Sequence, residues 1–283
     1  MSLKLIKGCL FVLLMLMNST LSAEVVIPFE LINGLIIVKA EVDGSVGNYI
    51  VDSGSNGILL NGDNASSKIR FETLEGNIEG TEKRINTLKV GDFEQKELLG
   101  FTTDLSNLES YLNKEVHGIL GCAIFTPHSM VFDFHSSQLI VSDQKIDRKT
   151  KESLNQLSFF IVEDLPITQL VIQGELYNFV LDSGASSHFI DGELLRMSTV
   201  NAQLTGKSKN IVTAGGRGSV AEEYRINIAA LSIGEEESNL IGYKKDFFNI
   251  SQELGVKISG LLSLSKLASQ KIYFDVVDKK LYF

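Results

Sequence analysis

Strand-like apolar runs occupy residues 36–42 and 167–172, and each is followed by a glycine turn and a second run that ends in an aspartate. The turns fall at Asp43-Gly44 and at Gly174, and the returning runs pass through Tyr49-Ile50-Val51 and Phe179-Val180-Leu181. β-Branched and aromatic residues around such a turn predict a hairpin, because glycine takes the left-handed backbone that a tight turn demands. A second glycine-containing hairpin is expected in each half, over 75–84 and 213–220. Short helices are predicted at 104–114, 192–197, 246–254 and 261–269. Residues 142–156 are mostly charged and polar, with Lys145, Arg148, Lys149 and Lys151, and read as a solvated linker.

The pattern is a repeat. LIIVKAEVDGSVGNYIVDSG at 35–54 matches LPITQLVIQGELYNFVLDSG at 165–184 with a constant offset of 130. Gly44 falls on Gly174, Asn48 on Asn178, Tyr49 on Phe179, and Asp52-Ser53-Gly54 on Asp182-Ser183-Gly184. Further on, GILGCAIFTPHSMVFDFHSSQLIV from Gly118 matches GLLSLSKLASQKIYFDVVDKKLYF from Gly260 at an offset of 142. The second copy thus carries 12 extra residues between its landmarks, which predicts a longer surface loop or helix there. The expected organisation is a first lobe over 24–142, a linker over 143–159 and a second lobe over 160–283.

Composition narrows the class. At 283 residues, 44% hydrophobic and 22% charged, the chain suits a folded protein with room for two domains. Lys plus Arg is 26 against 35 Asp plus Glu, a net charge of −9, so no basic surface is expected for nucleic acid. The first 23 residues join Lys4 and Lys7 to an apolar run from Cys9 to Met17 and a small-residue end at Ala23. That is the order of a secretory signal, and nine apolar residues fall short of the roughly 18 to 20 that cross a bilayer as a helix. Cleavage after Ala23 would take the net charge to −11 and leave an exported chain, periplasmic or secreted, with no stable membrane insertion. Cys122 is then the one cysteine, expected as a small buried apolar residue.

One Asp-Ser-Gly is weak evidence, but two of them, each closing a matched strand-turn-strand, point to a shared site. The pattern resembles the aspartic peptidases, specifically their bacterial retropepsin-like branch, in which a strand ends in D-[ST]-G-[AS]. The resemblance covers nearly all of residues 25–283. It implies an all-β, bilobal, pepsin-like architecture of two retropepsin-like β-barrel lobes, with a monomer related internally by a pseudo-twofold. It implies further that Asp52 and Asp182 are the catalytic pair, that Ser53 and Ser183 bond across to the opposite loop, and that Gly54 and Gly184 turn the loops. Ile119-Leu120-Gly121 and Leu261-Leu262 match the apolar element behind each loop, with Ser263 standing where the second copy should have glycine. The segment around Gly215, Gly216 and Gly218 resembles a flap over the cleft, and Gly76 to Gly80 takes the corresponding place in the first copy.

The chemistry of such a pair is physical. Two carboxylates a few ångströms apart cannot both ionise easily, so they share a proton. One then acts as base toward a bound water while the other donates to a peptide carbonyl. No metal or organic cofactor is required, and the partner is a peptide or protein substrate. The alternative is an exported peptide-binding protein that keeps the fold with weak or absent turnover. His117, His128, His135 and His188 form none of the spacings of a metal site. His188, six residues after Asp182, reads as structural or solvent-facing, with a place in the cleft wall as the other reading. Asp133 and Asp275, each in a repeated Phe-Asp pair, are placed on structural strands by the resemblance.

Overall fold

A computed structural model describes residues 24–55, 57–62, 69–73, 76–213, 216–229, 237–267 and 270–283; the expected signal at 1–23 lies outside them. The chain is all-β, as expected, with a few short helices. The first lobe comprises β1 (Val25–Ile32), β2 (Leu35–Val42), β3 (Ser45–Asp52), β4 (Ile58–Asn61), β5 (Ile69–Thr73), β6 (Gly76–Val90), β7 (Phe93–Thr103), helix α1 (Ser106–Leu112), β8 (Gly118–Gly121), β9 (Ser129–Asp133) and β10 (Gln138–Ser142). After helix α2 (Arg148–Ser153) come β11 (Gln156–Val162), β12 (Leu165–Ile172), β13 (Glu175–Asp182), β14 (Phe189–Asp191), α3 (Gly192–Arg196), β15 (Gln203–Thr213), β16 (Gly216–Ala229), β17 (Glu237–Lys245), α4 (Phe248–Leu254), β18 (Ile258–Ser263), α5 (Leu264–Leu267), β19 (Lys271–Asp275) and β20 (Lys280–Tyr282).

The expected hairpins form. β2 pairs antiparallel with β3, and β12 with β13. Both turns hold two residues at positive φ, Asp43 and Gly44 in one and Gln173 and Gly174 in the other, the geometry that matches the right-handed twist of the strands. The returning strand then pairs in parallel with the closing strand of its lobe, β3 with β8 and β13 with β18. Asp52 thereby lies opposite Gly121, and Asp182 opposite Ser263.

A second level of symmetry joins the lobes. β1, β10, β9, β19, β20 and β11 form one antiparallel sheet in that order, so its centre is the β9–β19 ladder between lobes. Val131 pairs with Tyr273, its own counterpart at the offset of 142, so the pseudo-twofold runs through that pair. Asp133 and Asp275 finish β9 and β19; each accepts from the backbone three residues on, Ser136 N at 3.0 Å and Asp278 N at 2.9 Å. Each also takes a lysine, Lys271 for Asp133 and Lys151 for Asp275.

The main core runs through both lobes, and each lobe adds a satellite beneath its helix. Leu105, Leu108 and Ile119 pack on Ile37 and Ile50 in the first, and Phe247, Ile250 and Leu261 on Ile167 and Val180 in the second. Each such buried side chain stabilises by roughly 1.5–3 kcal/mol. The satellites hold the strands that end in the two aspartates.

Four expectations need correction. Residues 261–263, expected to open a helix, finish β18; the described helix is Leu264–Leu267, and 268–269 lie outside the described residues. A fully buried run of apolar residues has no alternation to separate strand from helix. The stretch expected as a linker over 143–159 holds α2, capped by Asp147 accepting from Thr150 N at 3.0 Å, and its last residues belong to β11 in the shared sheet. The second hairpin of the first lobe spans β5 and β6, so Gly76 opens β6 opposite Thr73 while Gly80 stands further down the strand opposite Ile69. In the second lobe β15 pairs with β16; Gly216 and Gly218 lie on β16, and Gly215 falls outside the described residues. No described helix is long and apolar enough to cross a membrane.

Candidate active site

Asp52 and Asp182 end strands that differ by 130 positions, and folding brings their loops together across the pseudo-twofold. The loops are locked by a reciprocal exchange. Ser53 N donates to Ser183 Oγ and Ser183 N to Ser53 Oγ, both at 2.9 Å. The same hydroxyls donate onward to the opposite lobe, Ser53 Oγ to Leu181 O and Ser183 Oγ to Val51 O, again at 2.9 Å. Both serines are buried, so each hydroxyl satisfies two backbone groups that water cannot reach.

Within each loop the glycine N–H turns back on its own aspartate. Gly54 N donates to Asp52 Oδ1 at 2.7 Å, and Gly184 N to Asp182 Oδ1 at 2.6 Å. These glycines are required by proximity: a Cβ on Gly54 would lie 2.5 Å from Asp182 Cγ, and one on Gly184 would overlap the Asp52 carboxyl. Each carboxyl is thus seated against the other lobe's loop. The two carboxyls lie close enough to interact, so that sharing one proton relieves the repulsion of two buried charges. Burial raises the Asp52 carboxyl above the usual carboxylate range, and the bonds from Asp182 and from the Gly54 and Gly184 backbone only partly offset it. Asp182 is buried, whereas Asp52 is partly exposed.

Cys122 is buried next to this pair, as expected for a small apolar residue. Burial first, and the Asp52 charge second, push its thiol well above the usual range, with the neighbouring Ser183 side chain offsetting only part of this, so it stays protonated. The sequence reading did not connect Cys122 to the pair, although its place directly after Gly121 is the signal.

Around the site, α1 approaches β15 and β16 of the second lobe, and α4 approaches β5 of the first. Each lobe's helix therefore meets the other lobe's long hairpin, where the flap candidates Gly76, Gly216 and Gly218 lie. A cavity of about 690 Å³ opens between the lobes just beyond the Asp182 loop, walled by Asn33 and Tyr111 on one side and Ser186, His188, Glu223 and Lys266 on the other. His188 is therefore a wall residue, and its Nδ1 accepts from Ser263 N at 3.0 Å. A larger cavity of about 1350 Å³ lies in the second lobe, lined by Arg196, Glu222, Lys244 and Phe248 among others; neither aspartate reaches it. Among the described residues no group of histidine, cysteine and acidic side chains is arranged to hold a metal ion.

No protein-family model and no curated protein matches the chain. Among solved structures it is similar to the crystal structure of basic 7S globulin from soybean, with 8% identity over 93% of this chain and 95% of that one and a TM-score of 0.48.

Proposed function

We propose that the protein is an aspartic endopeptidase that works, after removal of residues 1–23, outside the cytoplasm. One observation carries the reading: two carboxyls from equivalent loops touch each other over a grip of exchanged serine hydroxyls. A pair that holds one proton between two carboxyls can polarise a water and a carbonyl at once. The ionised carboxyl takes a proton from water as its oxygen attacks the peptide carbon, and the protonated one gives its proton to the carbonyl oxygen. Collapse of the resulting gem-diol breaks the C–N bond, with a proton returned to the leaving nitrogen. The substrate is an extended peptide lying between the lobes, beneath the two long hairpins.

The test is cleavage of a denatured protein mixture by the mature chain across pH 3 to 7, with and without a peptide inhibitor that mimics the tetrahedral intermediate. Inhibitor-sensitive products are expected. Asp52→Asn and Asp182→Asn should each lower the rate by roughly 10²–10⁴-fold with an unchanged circular dichroism spectrum. Appreciable activity in either variant refutes the shared-water mechanism. Tight inhibitor binding with no products would instead identify a peptide-binding protein.

A further inference from the structure

The two loops are supported differently from behind. In the first lobe Gly121, opposite Asp52, donates its N–H to Gly57 O at 2.8 Å. That approach depends on the bare glycine, since a Cβ there would lie 2.5 Å from Ser55 O and 2.7 Å from Gly57 O. In the second lobe the residue opposite Asp182 is Ser263, and its side chain rules out the same packing. Its hydroxyl instead donates to Ala185 O at 2.6 Å, and its N–H goes to His188 Nδ1 at 3.0 Å. At the offset of 130, Ala185 is the counterpart of Ser55 and His188 that of Ile58, whose side chain has no polar atom. The hydroxyl therefore bonds to the atom equivalent to the one that a Cβ would strike in the first lobe.

We infer that Ser263 and His188 form one positioning unit, which holds the Asp182 loop at the height that Gly121 gives its counterpart, and does so only while the imidazole is neutral. The inference rests on the reading of Asp182 as half of a working acid pair. A neutral imidazole offers Nδ1 as an acceptor, but a protonated one has donors on both nitrogens. Protonation would set an N–H against the Ser263 N–H and leave that buried donor without a partner, directly behind Asp182.

Among the described residues, the titratable groups that line the same cavity as His188 are Lys266 on α5, Glu223 and Tyr243 on β16 and β17, and Tyr111 on α1 of the other lobe. The anion among them is already engaged, for Glu223 accepts from the Thr205 hydroxyl at 2.7 Å. Burial first, and the Lys266 charge second, lower the His188 pKa to about 4. With the folded value depressed, the unit's stabilisation is complete above the unfolded value of about 6.5 and is lost as pH falls through about 4. This acid limit is separate from the ionisation of the carboxyl pair.

The experiment compares the full chain with His188→Gln and His188→Ile. Glutamine can accept from Ser263 N and does not titrate. Wild-type cleavage should fall about tenfold per pH unit below pH 4, whereas His188→Gln, scaled to its own rate at pH 5, should lack that acid limb. His188→Ile should lower kcat by roughly 10–100-fold with little change in KM, and adding Ser187→Gly and Ser263→Gly should restore part of it by recreating the first-lobe arrangement. An acid limb unchanged in His188→Gln, or a His188 imidazole that titrates near 6.5 by NMR, overturns the inference. If the chain cleaves no peptide at any pH, the peptidase reading fails by itself. The unit is then judged by melting temperature from pH 6 to 3.5, where wild type should lose more than His188→Gln and equal losses refute it.

Discussion

Behind Asp52 the first lobe packs backbone on backbone; behind Asp182 the second packs a hydroxyl and an imidazole on backbone. Yet the exchange between Ser53 and Ser183 keeps the same 2.9 Å bonds in both directions. The difference lies in who shares each contact. Either serine hydroxyl serves one backbone group in its partner's loop and another on the strand leading to it, so a change on one side leaves buried groups orphaned on the other. The support behind a loop is private to its lobe, and a substitution there can be compensated by a neighbour in the same lobe, as His188 does for Ser263. Contacts across the pseudo-twofold are held to symmetry, and contacts within a lobe are free to drift.

The sharpest way to break this comparison is to exchange the supports. Gly121→Ser should destabilise by roughly 3 kcal/mol, because its side chain meets loop backbone that cannot rotate away. Ser263→Gly should cost only about 1 kcal/mol, the bond to Ala185 O. Equal losses in denaturant titrations would show that the two supports are not distinct. Next come Ser53→Ala and Ser183→Ala, each expected to cost roughly 2–3 kcal/mol by leaving a buried N–H and C=O unpaired. Here the losses should match, and a gap above about 1 kcal/mol would end the claim that the grip is reciprocal.

The smallest effect concerns the carboxyls. Because the folded Asp52 pKa is raised, its contribution to stability is present in acid and lost as pH rises through the folded value. Asp52→Asn should therefore melt about 2–4 °C higher than wild type at pH 7 and show no advantage near pH 3.5. Asp133 has the opposite sign. Burial raises its carboxyl, but the bonds from Lys271 and Ser136 outweigh that and hold it low, so its contribution is lost in acid. A melting advantage for Asp52→Asn that grows toward acid would contradict the raised carboxyl.

The meeting of the two Asp-Ser-Gly loops was legible because its determinants are local and doubled. Asp-Ser-Gly follows a glycine turn in each copy, and the matched Asn48 and Asn178 hold their strands alike, donating to Glu115 O at 2.8 Å and Lys257 O at 2.9 Å. What escaped is non-local or unpatterned. The β9–β19 ladder joins residues far apart in sequence, and nothing in Val131 names Tyr273 as its partner. The run at 258–263 is buried at every position, with Ser259 and Ser263 as well as Ile258, Leu261 and Leu262, so it offers no alternation and its last residues read as helix. The Asp147 cap of α2 was visible as an aspartate three residues before Thr150, but the surrounding lysines read as solvent. Ser263 read as an anomaly, because the compensating His188 stands 75 positions away.

The shared sheet has a consequence for ancestry. An isolated first lobe would leave the β9 edge bare, an invitation to pair with another strand. Because the ladder is centred on Val131 and its own counterpart, β9 could meet a copy of itself in the register it now uses with β19. A protein half this size could thus have worked as a homodimer, and fusing two genes would have freed each half to evolve separately everywhere except along the seam.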